Sequence, residues 1–461
     1  MHFHSNDTII APATAVSNSA IALIRLSGTN AVACVAKHFS GKNLFEISPN
    51  TSVFGRIKDG KNAVLDEVVV TVFKSPRSYT GEDVVEISCH ASPFIVREMI
   101  SLFSQAGARL AEPGEFTLRA FLNGKMDLSQ AEAVADLIAS ESKAGHNIAL
   151  RQMNGQISSK MAVLRANLID FASLLELELD FSEEDVEFAD RTRLRQLVEE
   201  IDGEIRNLLN SYSTGKLIRN GIPTVISGRP NAGKSTLLNT LLQEDRAIVS
   251  DIPGTTRDTI EEVIQINGVQ FRLVDTAGIR KTSDAIEATG VHKTYEKIRK
   301  SAIVIYLFDP GAITVEEIRH DLENLPETEA EIILVANKSD KLLAGNELEA
   351  FTSAFSAYEL ISISAKLEHN IDTLRNTLYE KVLGQTNYQQ QVIISNGRHF
   401  EALSKARESL EIVTSGLAEG LPSDLVALEL RQVLYYVGSI TGAIGTEDVL
   451  GNIFGKFCIG K

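Results

Sequence analysis

The feature that most constrains this chain is a glycine-containing loop between an apolar strand and a helix. Residues 228–236 read Gly-Arg-Pro-Asn-Ala-Gly-Lys-Ser-Thr, which matches the pattern G-x-x-x-x-G-K-[ST]. Apolar runs at 224–227 and 237–242 supply the strand and the helix that this pattern requires. Glycines let successive backbone N–H groups point at one anion, and the helix N-terminus adds positive partial charge. The segment therefore predicts a phosphate-binding loop, in which Lys234 reaches the β- and γ-phosphates and Ser235 ligates Mg²⁺. A chance glycine-rich turn does not account for both flanking elements.

Length and composition narrow the class of protein. A chain of 461 residues suggests about three domains, and 44% hydrophobic residues can bury sizeable cores. No apolar run approaches the roughly 18 residues that span a bilayer, so no membrane association is expected. The first residues lack the basic and apolar parts of a secretory signal, which predicts a cytoplasmic location. The net charge of −16 excludes a surface coated with nucleic-acid-binding charge, so any RNA contact must use a local patch.

The number and spacing of the cysteines also fit a cytoplasmic location. Cys34, Cys89 and Cys458 are far apart in sequence and odd in number, so neither a disulfide framework nor a zinc site is indicated. Reduced thiols fit the predicted cytoplasmic location.

Three kinds of pattern divide the chain. Residues 1–122 mix short strands and helices, which predicts an α+β domain. Residues 123–215 and 383–461 carry Leu, Ala, Glu and Arg at three- and four-residue spacing, which predicts a helical domain made from two segments. Residues 216–382 alternate apolar strands with helices, as in a doubly wound, mostly parallel sheet. We therefore expect a multidomain α/β plus all-α protein, with a P-loop domain inserted into a discontinuous helical domain.

Individual elements follow from periodicity. We predict strands at 9–11, 21–26, 68–73, 84–89, 271–274, 302–308 and 332–336, and helices at 31–39, 93–105, 131–138, 194–208, 400–413 and 425–437. Residues 175–179 alternate as a strand would, but their helical neighbours favour a helix. The acidic cluster at 183–185 fits a metal site or a solvated helix end, and the second is favoured.

A second motif selects the base of the nucleotide. Asn337-Lys338-Ser339-Asp340 follows a predicted strand, and an Asn/Asp pair at this spacing can bond the keto and amino edge of guanine. The carboxylate would be wasted on adenine, which lacks the N1–H and 2-amino donors of guanine. Ser364, Ala365 and Lys366, after the next strand, complete a wall around the base. Together with the phosphate-binding loop, these residues predict a GTPase.

The segments expected to sense the γ-phosphate lie between those motifs. Asp275-Thr276-Ala277-Gly278 ends a strand, where Asp275 can hold Mg²⁺ through water and the Gly278 N–H can bond the γ-phosphate. Upstream, a threonine hydroxyl of Thr255-Thr256 can complete the Mg²⁺ shell.

Two departures from the common switch pattern bear on how GTP would be hydrolysed. Ile279 stands where many signalling GTPases place a water-orienting glutamine, so another group must position the water. No internal arginine finger is evident. Asn231 and the carbonyl-rich stretch 250–255 suggest that a monovalent cation supplies the missing positive charge.

Over nearly its full length, the chain resembles the tRNA-modifying GTPase family MnmE, also called TrmE. The asparagine of the P-loop and residues 251–258 resemble the potassium loop of that family, and residues 457–461, Phe-Cys-Ile-Gly-Lys, resemble its C-terminal signature. Residues 76–83 resemble its folate motif, and 123–133 its entry into the helical domain. Gly124 replaces a frequent acidic residue and Pro253 a common alanine; neither position should carry the chemistry.

The resemblance implies partners and cofactors. The family is a homodimer that works with the FAD-dependent protein MnmG, in a heterotetramer or a larger complex, on carbon 5 of the tRNA wobble uridine. A one-carbon folate such as 5-formyltetrahydrofolate supplies carbon, glycine or ammonium supplies nitrogen, and the G domains pair only with GTP and K⁺ bound.

The resemblance also implies roles for particular residues. Asn231, Ser250, Ile252 and Thr255 would bind K⁺, and Ser235 and Thr256 would bind Mg²⁺. Glu287 falls where the family has its water-orienting glutamate, and an ordinary surface carboxylate is the alternative. Folate contacts are expected from Arg25, Glu82, Lys125 and Lys461, whereas the alternative for Arg25 and Glu82 is a solvent-exposed pair. The predicted GTP contacts are Asn231, Ala232, Gly233, Lys234, Ser235, Thr236, Ser250, Asp251, Ile252, Pro253, Gly254, Thr255, Thr256, Asp275, Thr276, Ala277, Gly278, Asn337, Lys338, Asp340, Ser364, Ala365 and Lys366.

Two other functions fit a P-loop chain. A ribosome-assembly GTPase usually adds an RNA-binding module with a basic face, which the acidic balance and helical flanks disfavour. A non-catalytic switch would present different surfaces with GTP and GDP, and slow, cation-insensitive hydrolysis would support it.

Overall fold

The computed structural model describes residues 7–15, 19–180, 191–244, 261–275, 295–342, 346–384, 391–419 and 421–443, and six positions near the C-terminus: 450, 453–455, 457 and 460. The chain divides into two compact units. The first comprises Met1–Ile138, Leu150–Val198 and Glu408–Lys461, and the second Ala139–Ala149 and Glu199–Arg407.

The first unit contains a seven-stranded sheet with the order β3-β4-β5-β6-β2-β1-β7. All neighbours are antiparallel except β1 and β7. The strands are β1 (Thr8–Pro12), β2 (Ile21–Ser27), β3 (Phe39–Ser40), β4 (Thr51–Lys58), β5 (Val64–Phe73), β6 (Val84–His90) and β7 (Ala108–Leu110). The four strands predicted in this region are present, and β3, β4 and β7 are additional.

Alternation along the strands builds the core of this sheet. In β5, Val68, Val70 and Val72 are buried, whereas the residues between them lie on the other face. Helices α1 (Ala31–Ala36) and α2 (Pro93–Gln105) contribute to the same core. Helix α1 is shorter than the predicted 31–39 because the chain joins the sheet there: the His38 carbonyl accepts from the Lys58 N–H at 2.9 Å.

Helices make up most of the rest of the first unit and continue into the second. They are α3 (Glu115–Leu122), α4 (Leu128–Ala139), α5 (Lys143–Met153), α6 (Gln156–Asp180), α7 (Arg191–Asn220), α12 (Gly397–Glu419) and α13 (Ser423–Thr441). Helix α6 runs through 175–179, so the helical interpretation of that stretch is confirmed. Helices α6 and α13 pack against each other. None of the described helices is both long and apolar enough to cross a membrane.

The second unit contains the predicted doubly wound, mostly parallel sheet. Its sheet has the order β13-β12-β11-β8-β10-β9, with parallel neighbours except at the β9 edge. The strands are β8 (Ile222–Ser227), β9 (Glu261–Ile266), β10 (Val269–Asp275), β11 (Ile303–Phe308), β12 (Glu331–Ala336) and β13 (Glu359–Ser362). Its helices are α8 (Lys234–Glu244), α9 (Val315–Glu323), α10 (Asn346–Ala354) and α11 (Ile371–Leu383).

The central strand β11 is buried at every position, as expected for a parallel strand covered on both faces. Because parallel strands end at one edge, the loops after β8, β11, β12 and β13 are brought together there. The loops after β8, β12 and β13 carry predicted nucleotide residues.

Candidate functional site

The phosphate-binding loop has the backbone that its sequence predicts. It leaves β8 at Gly228 (φ 138°), passes through Asn231 (φ 63°) and enters α8 after Gly233 (φ 100°). A Cβ on Gly228 would lie 2.0 Å from the Leu307 carbonyl oxygen. Glycine is therefore required at 228 both for the left-handed backbone and for the close approach of β11.

Polar groups gather at the N-terminus of α8. The Lys234 Nζ donates to the carbonyls of Gly228 (2.7 Å) and Arg229 (2.9 Å), which holds the ammonium over the loop. Ser235 and Thr236 are exposed in the first turn, where backbone N–H groups and the helix dipole favour an anion. The exposed Ser235 hydroxyl and Asn231 amide offer hard oxygen donors, which fit Mg²⁺ and K⁺ respectively.

Asn337 connects the phosphate-binding loop to the base-binding loops. Its Nδ2 donates to the Ala232 carbonyl at 2.8 Å, and its Oδ1 accepts from the Ala365 N–H at 3.0 Å. The residue is only 3% exposed. A Cβ on Gly233 would lie 2.3 Å from this Nδ2, which is a second reason for glycine in the loop. Asn337 thus fixes three predicted segments relative to one another, a role beyond the base contact that the motif predicts.

Asp340 is the exposed member of the predicted base-recognition pair. Ser364 Oγ donates to its Oδ1 at 2.6 Å, and this bond lowers the pKa of the Asp340 carboxyl. An ionised carboxylate is an acceptor only, which suits the two N–H groups on one edge of guanine. Lys338 has a left-handed backbone (φ 65°) and pairs with Asp309 Oδ2 at 2.8 Å.

Several predicted site residues lie outside the described residues. They are Ser250, Asp251, Ile252, Pro253, Gly254, Thr255, Thr256, Thr276, Ala277, Gly278, Ile279, Glu287, Cys458 and Lys461, together with the acidic cluster at 183–185. Asp275 is the last residue of β10, at the predicted strand end.

Two of the predicted folate residues, Arg25 and Glu82, do not pair with each other, and each has another partner. Arg25 bonds Glu86 (Nη2–Oε1 2.8 Å), and its guanidinium lies 5.4 Å from the Tyr79 ring centroid and 5.8 Å from that of Phe116. Glu82 accepts from Ser27 Oγ at 2.6 Å. Both residues are partly buried rather than a solvent-exposed pair.

The third described folate candidate lies beside the same polar turn. Lys125 Nζ donates to the Pro76 carbonyl at 3.0 Å, and the side chain of Asn123 donates to the Thr80 carbonyl at 2.7 Å. These bonds attach the start of the helical region to the 76–83 turn that carries Glu82.

A cluster of charged residues around the buried Arg119, next to Glu82, is absent from the predictions. Arg119 Nη2 bonds Asp7 Oδ1 (2.5 Å) and Glu115 Oε1 (3.0 Å), while Nη1 bonds Glu82 Oε2 (3.2 Å). Arg109 bonds the same Asp7 and Glu115 carboxylates at 2.7 and 2.6 Å. These five residues are called the Arg119 cluster below. Burial by itself would raise the carboxyl pKa of Asp7 and Glu115, but the two arginines hold both pKa values below their ordinary range.

Two described residues near the C-terminus, Phe454 and Gly460, lie close to residues of the N-terminal region. A Cβ on Gly460 would lie 2.1 Å from the Pro12 carbonyl oxygen, and one on Gly114 would lie 2.5 Å from that of Phe454. Pro12 pairs with Ile24 in the sheet, one register position from Arg25. The residue next to the predicted folate contact Lys461 is therefore close to the strand that carries Arg25.

Fold and site together define a P-loop protein with a guanine-nucleotide site. Residues 128–458 match the family model described as the MnmE helical domain, and residues 8–125 match the model described as GTP-binding protein TrmE N-terminus. The tRNA modification GTPase MnmE of Cytophaga hutchinsonii is 51% identical over 455 residues, covering 99% of this chain and 98% of that protein. Its namesake in Flavobacterium psychrophilum is 48% identical over 468 residues, covering 99% of both. The chain belongs to the MnmE (TrmE) family of tRNA modification GTPases.

A solved structure gives a much weaker match. A GTP-binding protein from Sulfolobus solfataricus in complex with GDP aligns with 20% identity and a TM-score of 0.29, covering 48% of this chain and 66% of that one.

Proposed function

We propose that this member of the family is a K⁺-activated GTPase that modifies carbon 5 of the tRNA wobble uridine with an FAD-dependent, MnmG-type partner. The added group is of the carboxymethylaminomethyl type, and a formyl-folate supplies its one-carbon unit. The observation that carries the GTP part is the Asn337 bridge, which joins the phosphate-binding loop to the loop of Ala365 beside the ionised Asp340.

Hydrolysis requires a positioned water and compensation of charge. Water attacks the γ-phosphorus, the bond to the β,γ-bridging oxygen breaks, and GDP and inorganic phosphate leave. We assign water positioning to Glu287, because Ile279 offers neither a hydrogen bond nor a base. Mg²⁺ on Ser235 and Thr256, and K⁺ on Asn231, Ser250, Ile252 and Thr255, would supply positive charge to the phosphate oxygens.

Folate binding is assigned to the first unit. Arg25, Glu82, Lys125 and Lys461 are the proposed contacts. The packing of Gly460 on Pro12 supports a site shared between β2 and the C-terminus. A guanidinium and an ammonium suit the carboxylates of a folate tail, and a carboxylate such as Glu82 can accept from pterin N–H groups.

The remaining proposals concern assembly. We assign residues 1–122 to folate binding and dimerisation, 123–215 with 383–461 to the helical domain, and 216–382 to the G domain. The working form would be a cytoplasmic homodimer that joins the MnmG-type partner in a heterotetramer or larger complex and acts on tRNA.

Mass analysis of tRNA nucleosides from a deletion strain tests the substrate directly. We expect loss of the carbon-5 group at the wobble uridine, restored by the wild-type chain but not by Glu287→Ala. Normal wobble nucleosides, together with co-sedimentation with ribosomal subunits, would instead identify a ribosome-assembly GTPase.

The cation proposal has its own test. GTP hydrolysis by the purified chain should be faster in KCl than in NaCl, with GDP affinity similar in both. Equal rates in the two salts would overturn the K⁺ assignment, and slow hydrolysis in both would favour a non-catalytic switch.

A further inference from the structure

One segment of the second unit makes ion pairs with both groups of nucleotide-binding loops. This segment, residues 309–321, runs from the end of β11 into α9 and is called the brace below. At its start, Asp309 pairs with Lys338 of the base-binding loop. At its other end, Glu317 and Asp321 on α9 pair with Arg229 of the phosphate-binding loop at 2.6 and 2.7 Å.

The ion pair between Arg229 and Asp321 is fixed by further hydrogen bonds on the carboxylate. Its Nε and Nη2 bond the two oxygens of Asp321, a fork that restricts orientation more than a single bond does. Tyr306 OH donates to Asp321 at 2.5 Å. Burial would raise the pKa of Asp321, but the bonds from Arg229 and Tyr306 hold it below its ordinary range.

The second acceptor of Arg229 is fixed by the start of α9. Glu317 accepts from the Thr314 N–H at 2.9 Å while Thr314 Oγ1 accepts from the Glu317 N–H, which is a capping box. The helix terminus therefore orients the carboxylate before it meets Arg229.

The contact between Arg229 and α9 also affects Lys234, the lysine expected to bind phosphate. The carbonyl of Arg229 accepts from Lys234 Nζ, while the side chain of Arg229 is held on α9. Fixing Arg229 therefore restricts the peptide group that positions the ammonium, and Asn231 follows two residues later with its left-handed backbone.

The Lys338 contact is built in a similar way. Asp309 follows the buried strand β11, and its Oδ1 accepts from the Gly311 N–H at 3.1 Å, leaving Oδ2 for Lys338. Lys338 lies between Asn337 and the 339–341 turn that carries Asp340. Its ion pair therefore restrains the loop that would read the base.

We propose that the brace positions the two halves of the nucleotide site separately: Glu317 and Asp321 set phosphate affinity through Arg229, and Asp309 sets base affinity through Lys338. These are positioning residues, and the proposal rests on GTP binding by this chain. Isolated surface ion pairs usually have little effect, but forked, networked pairs with fixed acceptors are the exception.

Measuring the affinity for two ligands distinguishes the phosphate half of the nucleotide site from its base half. GDP carries both phosphate and base, whereas inorganic tripolyphosphate carries no base and can be measured as a competitor of GDP. Glu317→Gln with Asp321→Asn removes the charges, and glutamine preserves the capping box. Both ligands should bind roughly three- to tenfold more weakly to this double variant. Asp309→Asn should weaken GDP by about threefold and leave tripolyphosphate unchanged.

Three further variants guard against a merely structural effect. Arg229→Gln should reproduce the loss seen in the double variant and add little to it, because the same contact is already broken. Arg229→Lys keeps the charge but not the fork, so it should fall between wild type and Arg229→Gln. Glu359→Gln breaks a comparable pair with Lys381 (3.6 Å) at the opposite end of the sheet and should change neither ligand.

The outcomes are distinct. If the wild type itself fails to bind GDP, the proposed function fails. If the wild type binds and the brace variants bind equally well, the brace proposal is overturned. Equal losses of both ligands in Asp309→Asn would also overturn it, since the two halves would not be separable.

Discussion

The chain uses arginine–carboxylate clusters in both of its units, and the two differ in depth. Arg119 in the first unit has a side chain only 8% exposed and bonds three carboxylates. Arg229 in the second unit is 39% exposed and bonds two. The chemistry is the same, but the dielectric surroundings are not.

That difference assigns the clusters different roles. A buried charge that loses its partner stays uncompensated in a low-dielectric interior, so a buried cluster is coupled to folding. A half-exposed charge is solvated when its partner is removed, so what changes is the geometry of the loop it held. Stability should therefore depend on Arg119 and ligand affinity on Arg229.

The largest expected effect is that of Arg119→Met. Removing the arginine leaves Asp7, Glu82 and Glu115 with less compensation, and we expect about 3–5 kcal/mol of lost stability in the first unit. Hydrogen exchange over residues 84–122 of the full chain measures it, since one melting temperature does not describe a multidomain chain.

Arg229→Met is the matched control for that experiment. It removes the same side chain from a half-exposed cluster and should leave hydrogen exchange in the β8–α8 region nearly unchanged while weakening GDP binding. Comparable losses of protection from both variants would contradict the distinction.

The next largest effect is the loss of stability of the first unit at low pH. The pKa values of Asp7 and Glu115 are depressed in the folded chain, so their contribution to stability is complete above the unfolded carboxyl values near pH 4 and is lost as pH falls through the lower folded values. Circular dichroism and hydrogen exchange between pH 6 and pH 2 should show the first unit losing stability in that acidic window. In Arg119→Met the loss should begin at higher pH, and an unchanged acid profile would argue against the cluster.

A smaller effect is expected from salt. Raising the salt concentration from 0.1 M to 1 M shortens the Debye length from about 10 Å to about 3 Å, and this screening weakens exposed ion pairs more than buried ones. With KCl held constant and choline chloride added, the difference in GDP affinity between wild type and Arg229→Gln should shrink by about two- to threefold. Protection of the first unit should respond much less.

The nucleotide site could be predicted because its information is local. The residues at 228–236, 337–340 and 364–366 each occupy one short segment directly after a strand, and parallel strands bring such segments to one edge. Asp309 carried the same signal, a carboxylate directly after a buried strand, and its pairing with Lys338 could have been proposed on that ground.

The Arg119 cluster gave no such signal. Arg119 and Asp7 are separated by 112 residues, and no periodicity reports which distant charges will meet. Strands β4 and β9, two of the strands that were not predicted, were missed for a related reason. In β4, Gly55 and the exposed Phe54 interrupt the apolar alternation, and β9 is an edge strand that begins with two glutamates.

The smallest predicted effect tests how far the Arg119 cluster extends. Ser27 is fully buried, donates to Glu82 at 2.6 Å and shares a 2.7 Å hydrogen bond with Thr80. Ser27→Ala leaves Glu82 without this donor, so we expect about 1 kcal/mol of lost stability. The exposed pair Ser52 and Thr71, also 2.7 Å apart, provides the control: Ser52→Ala should stay within about 0.5 kcal/mol of wild type. If Glu82 also binds folate, Ser27→Ala should weaken folate binding while Ser52→Ala does not, because Ser27, unlike Ser52, donates to that carboxylate. Equal folate affinity in the two variants would confine Ser27 to a role in stability.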